Sequence, residues 1–235
     1  MQKWVKKKAT LAINTLKVLS LEMIIVLLAF FSSFVLVVFL VRKVFVHDPG
    51  GLDDTVFDFF TSITSPGMTN VMQAFTTFGG QYFLVPANLS IVAYAIFMRS
   101  HTWFAIKTFS VALSSLLVMF GLKFIFSRPR PGDPLLEAAS GYSFPSGHAF
   151  MSFTFFGLLI YIVYSQMENL FARFATIALL LFTTLMVGSS RIYLRVHYFT
   201  DVLAGFCLGI MWLVISIWLL NKIEQNKTSL PPVEN

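Results

Sequence analysis

The sequence predicts an all-α integral membrane protein: a six-helix transmembrane bundle with an amphipathic interfacial segment after the first span. Composition is the first reason. Of 235 residues 57% are hydrophobic and 12% charged, where a soluble domain carries about 25% charged residues. The second is the recurrence of apolar runs near the roughly 20 residues that cross a hydrocarbon core. The third is the 27 phenylalanines, whose rings suit lipid-facing helix surfaces. The net charge of +6 marks no nucleic-acid partner, because no basic and aromatic stripe interleaves in a soluble domain. A single cysteine excludes an internal disulfide, and Cys207, inside an apolar run, reads as a small packing side chain.

The elements follow in order. Residues 1–18, with Lys3, Lys6, Lys7, Lys8 and Lys17, form a basic arm. The run from Leu19 to Val46 is too long for a signal-peptide core and reads as a retained first span. His47-Asp48-Pro49-Gly50-Gly51 is a turn. Asp53, Asp54 and Asp58 then interleave with Val56, Phe57, Phe59 and Phe60. Ser65-Pro66-Gly67 breaks the pattern, and Met68 to Phe78 is another short semi-apolar piece. This segment predicts one or two helices lying in the membrane interface. Its aspartates read as a solvated helix face rather than metal ligands, because no histidine cluster accompanies them. After Gly79-Gly80 the second span runs from Gln81 to Met98, and Arg99-Ser100-His101 is a turn. The third span covers Trp103 to Phe126, and a Pro-, Gly- and Arg-rich loop covers Ser127 to Phe144. The fourth span is Ser146 to Tyr164, the fifth Phe171 to Ser189, and the sixth Thr200 to Leu220. Gly205 and Gly209 in the sixth form a GxxxG, a close helix-packing pattern. Residues 19–221 are thus one membrane domain with a motif core at 123–201, and 222–235 are a polar tail expected to be disordered.

Six spans put both termini on one side. The arm, the short turns and the tail side carry ten Lys or Arg, and the other side seven. Of those seven, Lys123, Arg128, Arg130, Arg191 and Arg195 lie in polar stretches with chemical potential, which leaves Arg42 and Lys43 as ordinary flanking charge. The asymmetry places the termini in the cytoplasm and the 127–145 loop, the 190–200 segment and the acidic 48–58 stretch at the outer face of the cell membrane.

Three outer-face stretches carry the chemistry. They are Lys123 to Pro131, Pro145-Ser146-Gly147-His148, and Ser190 to Asp201. Lys123, Arg130 and Arg191 bring three fixed cations to the mouth of the bundle. Arginine presents a planar fork to phosphate oxygens and lysine a point charge. Pro145 to His148 opens a helix, whose first N–H groups suit an anion. Ser146 adds a hydroxyl donor, and Gly147 lets the backbone approach. The set reads as a cage for a dianionic group. His197 and Asp201, four apart, share one helix face. Such a pair is either a structural hydrogen bond or an activated nucleophile, in which the carboxylate holds one ring N–H and the other nitrogen attacks. Taken alone, Lys123 could snorkel and His148 could be a capped structural histidine; the co-occurrence of all three stretches on one face favours chemistry.

These motifs resemble the signature of the type-2 phosphatidic-acid phosphatase family. They stand as Lys123 with Arg130-Pro131, Pro145-Ser146-Gly147-His148, and Ser190-Arg191 with His197 and Asp201, every signature position being filled. The resemblance implies a six-helix lipid phosphatase that needs no metal or other cofactor. It implies His197 as a nucleophile forming a phosphohistidine, Asp201 as its orienting partner, and His148 as the acid and then the base. Lys123, Arg130, Ser146, Gly147 and Arg191 would hold the phosphoryl oxygens. The substrate would be a phospholipid or polyprenyl diphosphate: phosphatidic acid, phosphatidylglycerophosphate, undecaprenyl diphosphate or lipid A. A phosphotransferase with a non-water acceptor is the alternative. Arg128 and Arg195 lie outside the signature and are candidate head-group contacts.

Overall fold

The computed structural model describes residues 2–47, 50–97, 102–135 and 141–228, with side chains described from residue 21 to 226 inside those ranges except at 47. Asp48 and Pro49 of the first turn, the Arg99-Ser100-His101 turn, loop residues 136–140 and tail residues 229–235 lie outside the described residues, as do the side chains of the basic arm. Among the described residues there is no strand, and 84% of the chain is helix.

Helix α1 spans Gln2–Arg42 and passes into a π-helical turn, Lys43–His47. The polar arm is therefore helical and continuous with the first span. α2 covers Leu52–Ser62, α3 Pro66–Thr77, α4 Gln81–Phe97 and α5 Thr102–Phe126. α6 covers Gly147–Gln166, α7 Leu170–Tyr193 and α8 Phe199–Thr228. Six segments are long and apolar enough to cross a membrane. α8 carries the polar residues up to Thr228, so the first part of the tail is helical and not disordered.

The second span differs from the sequence reading. α3 and α4 are separated only by the turn at Phe78–Gly80, and the candidate span is Pro66–Phe97. α4 alone, with 17 residues, is about 26 Å long at 1.5 Å per residue, at the lower limit for a crossing. The semi-apolar α3 extends the candidate span. Ser65 caps it by accepting from the Met68 amide, and Pro66 fills the first helical position. Its Met72 packs with Tyr193, Leu194 and Val196, the stretch leading into the candidate nucleophile.

α6 and α8 are the most buried spans and form the centre of the bundle. The GxxxG pattern does what its spacing predicts. A Cβ on Gly205 would lie 2.7 Å from the Ser146 carbonyl oxygen, so only glycine lets α8 approach the start of α6 this closely. Cys207 is buried, as expected. Elsewhere the surface is apolar, with Leu28 64% and Val35 66% exposed on α1, as suits a face toward lipid tails.

The polar stretches gather at one end. α5 and α7 finish there, and α6 and α8 begin there. The last turns of α1 reach the same end, where Leu40 packs with Phe144 and Ala204. At the other end Tyr164 donates to Glu22, and Lys107 pairs with Glu224.

Candidate active site

His197 lies in the short link between α7 and α8 and is 1% exposed. Its Nδ1 is 3.3 Å from the Ser143 hydroxyl and 3.6 Å from Asp201 Oδ2. Its Nε2 is 3.3 Å from Arg130 NH1. Guanidinium only donates, so Nε2 accepts there and the neutral ring carries its proton on Nδ1. Ser143 donates to Asp201 Oδ2 at 2.5 Å, which makes its hydroxyl a bridge from the imidazole to the carboxylate. The Tyr198 amide donates to the same oxygen at 2.9 Å. Burial pushes His197 down to about 4, against the pull of Asp201 and helped by the charges of Arg191 and Arg130. The ring is therefore neutral at pH 7, with its lone pair on Nε2.

Arg130 faces that nitrogen, and Arg191 lies close enough for its charge to act on the ring. Arg130 is aimed by loop carbonyls, donating to Gly141 O at 2.9 Å and Val196 O at 2.7 Å. Lys123, in the last turn of α5, donates to Tyr142 O at 2.9 Å. Arg191, in the last turn of α7, donates to Thr76 Oγ1 at 2.6 Å. Among the described residues its Nε is buried without a hydrogen-bond partner, and so is the Ser146 hydroxyl at the start of α6. Gly147 is beside Lys123, whose Cε would be 3.6 Å from a Cβ placed there.

His148, in the first turn of α6, lies close enough to Arg191, His197, Lys123 and Arg130 to feel their charges. The α3–α4 turn walls it in. A Cβ on Gly79 would collide with Val187 Cγ1 and lie 3.2 Å from His148 Cδ2. The glycine pair that reads as a span boundary is thus where a transmembrane segment passes the imidazole. All eight residues singled out from the sequence, Lys123, Arg130, Ser146, Gly147, His148, Arg191, His197 and Asp201, stand at this one end of the bundle.

The model of the PAP2 superfamily matches residues 103–225. The chain belongs to the PAP2 superfamily. It is 28% identical over 181 residues to phosphatidylglycerophosphatase B of Bacillus subtilis (strain 168), covering 77% of this chain and 89% of that protein. It is 28% identical over 200 residues to lipid A 4'-phosphatase of Bacteroides thetaiotaomicron, covering 77% of this chain and 83% of that one. The crystal structure of a transmembrane PAP2-type phosphatidylglycerolphosphate phosphatase from Bacillus subtilis superposes with a TM-score of 0.74 at 24% identity, over 88% of this chain and 100% of that chain. That superposition establishes a shared transmembrane fold for this multi-pass PAP2 member.

Two expectations fail. Arg128 is no head-group contact: it is 6% exposed, pairs with Asp53 at 2.9 Å and Asp201 at 2.6 Å, and lies under the Tyr198 ring. Asp53 is not on a solvated face: it is 2% exposed and accepts from the Thr200 amide as well as from Arg128. Arg195 turns to α2, donating to Thr61 Oγ1 at 3.3 Å over the Phe57 ring. Ser143, Thr76 and Thr200 carry no signal outside the signature. Asp53 does carry one: it lies three, four and seven residues before Val56, Phe57 and Phe60, in line with the apolar stripe of α2 rather than opposite it.

Proposed function

We propose that this protein is a membrane lipid phosphatase that hydrolyses a phosphomonoester or diphosphate lipid through a phosphohistidine on His197. The observation that carries the reading is the pair of buried donors without a partner among the described residues, Arg191 Nε and Ser146 Oγ, at the end of the bundle where His197 Nε2 faces the Arg130 guanidinium. Buried donors without acceptors are costly, and a phosphoryl group supplies the acceptors they lack.

In the first step a phosphoryl group enters among Lys123, Arg130, Arg191, Ser146 and the Gly147 amide. It takes over the Arg130 donor that faces Nε2. Nε2 forms a bond to phosphorus while the bond to the lipid oxygen breaks. Protonated His148 gives its proton to the departing oxygen. The ring is then cationic, and Nδ1–H, Ser143 and Asp201 stabilise it. In the second step neutral His148 takes a proton from water. The water oxygen bonds to phosphorus, the P–N bond breaks, and inorganic phosphate leaves. Phosphoryl transfer is mostly positioning and charge stabilisation. Fixed cations in a partly dry cage meet that charge, so turnover is expected to persist in excess EDTA.

The relatives' names suggest the substrates: a phosphatidylglycerophosphate and a lipid A phosphate. We place residues 19–221 as the phosphatase domain, with cytoplasmic termini and the site at the outer leaflet of the cell membrane. An impermeant maleimide should then label Tyr142→Cys from outside intact cells. The deciding experiment is phosphate release by the purified protein from phosphatidic acid, phosphatidylglycerophosphate, undecaprenyl diphosphate and lipid A. Release from at least one is expected, and none from any would refute the reading. Measuring free phosphate against phosphorylated acceptor separates hydrolysis from phosphotransfer.

A further inference from the structure

A second charged group lies behind the site, and the signature does not include it. Asp53 reaches from α2 to the start of α8, where its Oδ1 accepts from the Thr200 amide at 2.9 Å. Its Oδ2 accepts from Thr200 Oγ1 at 2.8 Å and Arg128 NH2 at 2.9 Å. Arg128 NH1 donates to Thr200 Oγ1 at 2.9 Å and to Asp201 Oδ1 at 2.6 Å. Asp53, Arg128, Thr200 and Asp201 are all buried. Thus Asp201 has a divided role: Oδ1 faces Arg128, and Oδ2 faces Ser143, the Tyr198 amide and His197. Rotation of the carboxylate toward or away from His197 is governed by the group on Oδ1.

We propose that Asp53 and Arg128 are positioning residues that fix Asp201 and tune His197 through it, so that α2 is a working part of the catalytic end and not only an interfacial helix. This rests on the assignment of His197 as nucleophile. One arginine shared by two carboxylates leaves the group with a net negative charge. Part of Arg128's charge is spent on Asp53, and Asp201 keeps more of its own field for the imidazole. Neither residue touches the phosphate cage.

Removing either charge has a defined sign. Asp53→Asn removes a negative charge and turns the whole of Arg128 onto Asp201, so the His197 imidazolium is less stabilised. Arg128→Gln removes a positive charge and does the reverse. His197 is also faced by Asp201 from α8, Arg191 from α7, His148 from α6, and Arg130 from the α5–α6 connection, while Lys123 from α5 acts on His148 and Asp201, all unchanged in these variants.

The test is the ring pKa of His197 by ¹⁵N NMR of the full chain in detergent, assigned with His197→Gln, together with the pH profile of kcat/KM on a lipid phosphate. Asp53→Asn is expected to move both the ring pKa and the acid limb down, and Arg128→Gln to move both up, each by about half a unit or more. The double variant should return close to wild type. In both single variants kcat is expected to fall about 10- to 100-fold with KM nearly unchanged, as for other groups that orient a catalytic partner. If Arg128→Gln does not fold, Arg128→Lys should lower kcat while leaving the limb in place. No movement in either single variant, movement in the same direction in both, or a rise in KM at unchanged kcat overturns the proposal. The expected ring shifts without phosphate release by the wild type would uphold the clamp and refute the phosphatase reading. Phosphate release without the shifts would do the opposite.

Discussion

Arg128 and Arg191 are two buried arginines at the same end of one bundle, and they are treated in opposite ways. Arg128 is saturated, with carboxylates of Asp53 and Asp201 on its two terminal nitrogens. Arg191 has the Thr76 hydroxyl and a buried Nε without a partner, and no carboxylate pairs with it among the described residues. A buried charge neutralised inside the protein holds structure. A buried charge left without a counter-ion marks where an anion from outside must go. The fold keeps both at one end of the bundle and ties Asp201 Oδ1 to Arg128.

That contrast can be broken by exchange of the two residues' fates. Arg128→Leu leaves two buried carboxylates without a cation and is expected to lower stability by about 3–5 kcal/mol, read as a drop in the unfolding midpoint in detergent. Arg191→Gln should instead leave the midpoint near wild type while kcat/KM for phosphate release falls roughly 10²- to 10³-fold, the size of one lost donor to a developing charge. Vanadate, a mimic of the phosphoryl transition state, should raise the wild-type midpoint and not that of Arg191→Gln. Equal destabilisation by the two substitutions would erase the distinction.

Smaller effects sharpen it. Gly79→Ala pushes a methyl into Val187 and toward His148. It should cost about 1–3 kcal/mol, as overpacking of a filled core does, and lower kcat through displacement of His148. The pH response is the mildest over the usual working range. His197 is depressed to about 4 by burial, below its ordinary value near 6.5, so its neutral form is favoured in the folded state. Stability from this group is complete above about 6.5 and falls as pH drops toward 4. On the proposed mechanism kcat/KM should fall over the same limb near 4.

What the sequence made legible follows from how each residue finds its partner. Lys123, Ser146, His148 and Arg191 sit at helix ends, and Arg130 and His197 in the connections that join them, so span counting alone brings them together. The clamp is not legible because Asp53 and Arg128 are 75 residues apart, and the three aspartates of α2, with no histidine cluster beside them, read as one solvated face. Asp54 and Asp58 are exposed as expected, while Asp53 falls one position off their face, among Val56, Phe57 and Phe60. The place of Arg128 is not legible because its direction depends on a backbone reversal at Ser127, with φ 44°, that no residue type there announces. α3 escaped recognition as part of a span because Gly79-Gly80 looks like a boundary. Its purpose is steric clearance beside Val187 and His148.

The most direct measurement of the central proposal is covalent. Wild-type protein turning over a ³²P-labelled lipid phosphate would be quenched in base, where phosphohistidine survives, and the label mapped to a peptide. Label on His197, absent from His197→Ala, is the expected result. Phosphate release at the full rate with no label on His197, or with the label on another residue, would contradict it.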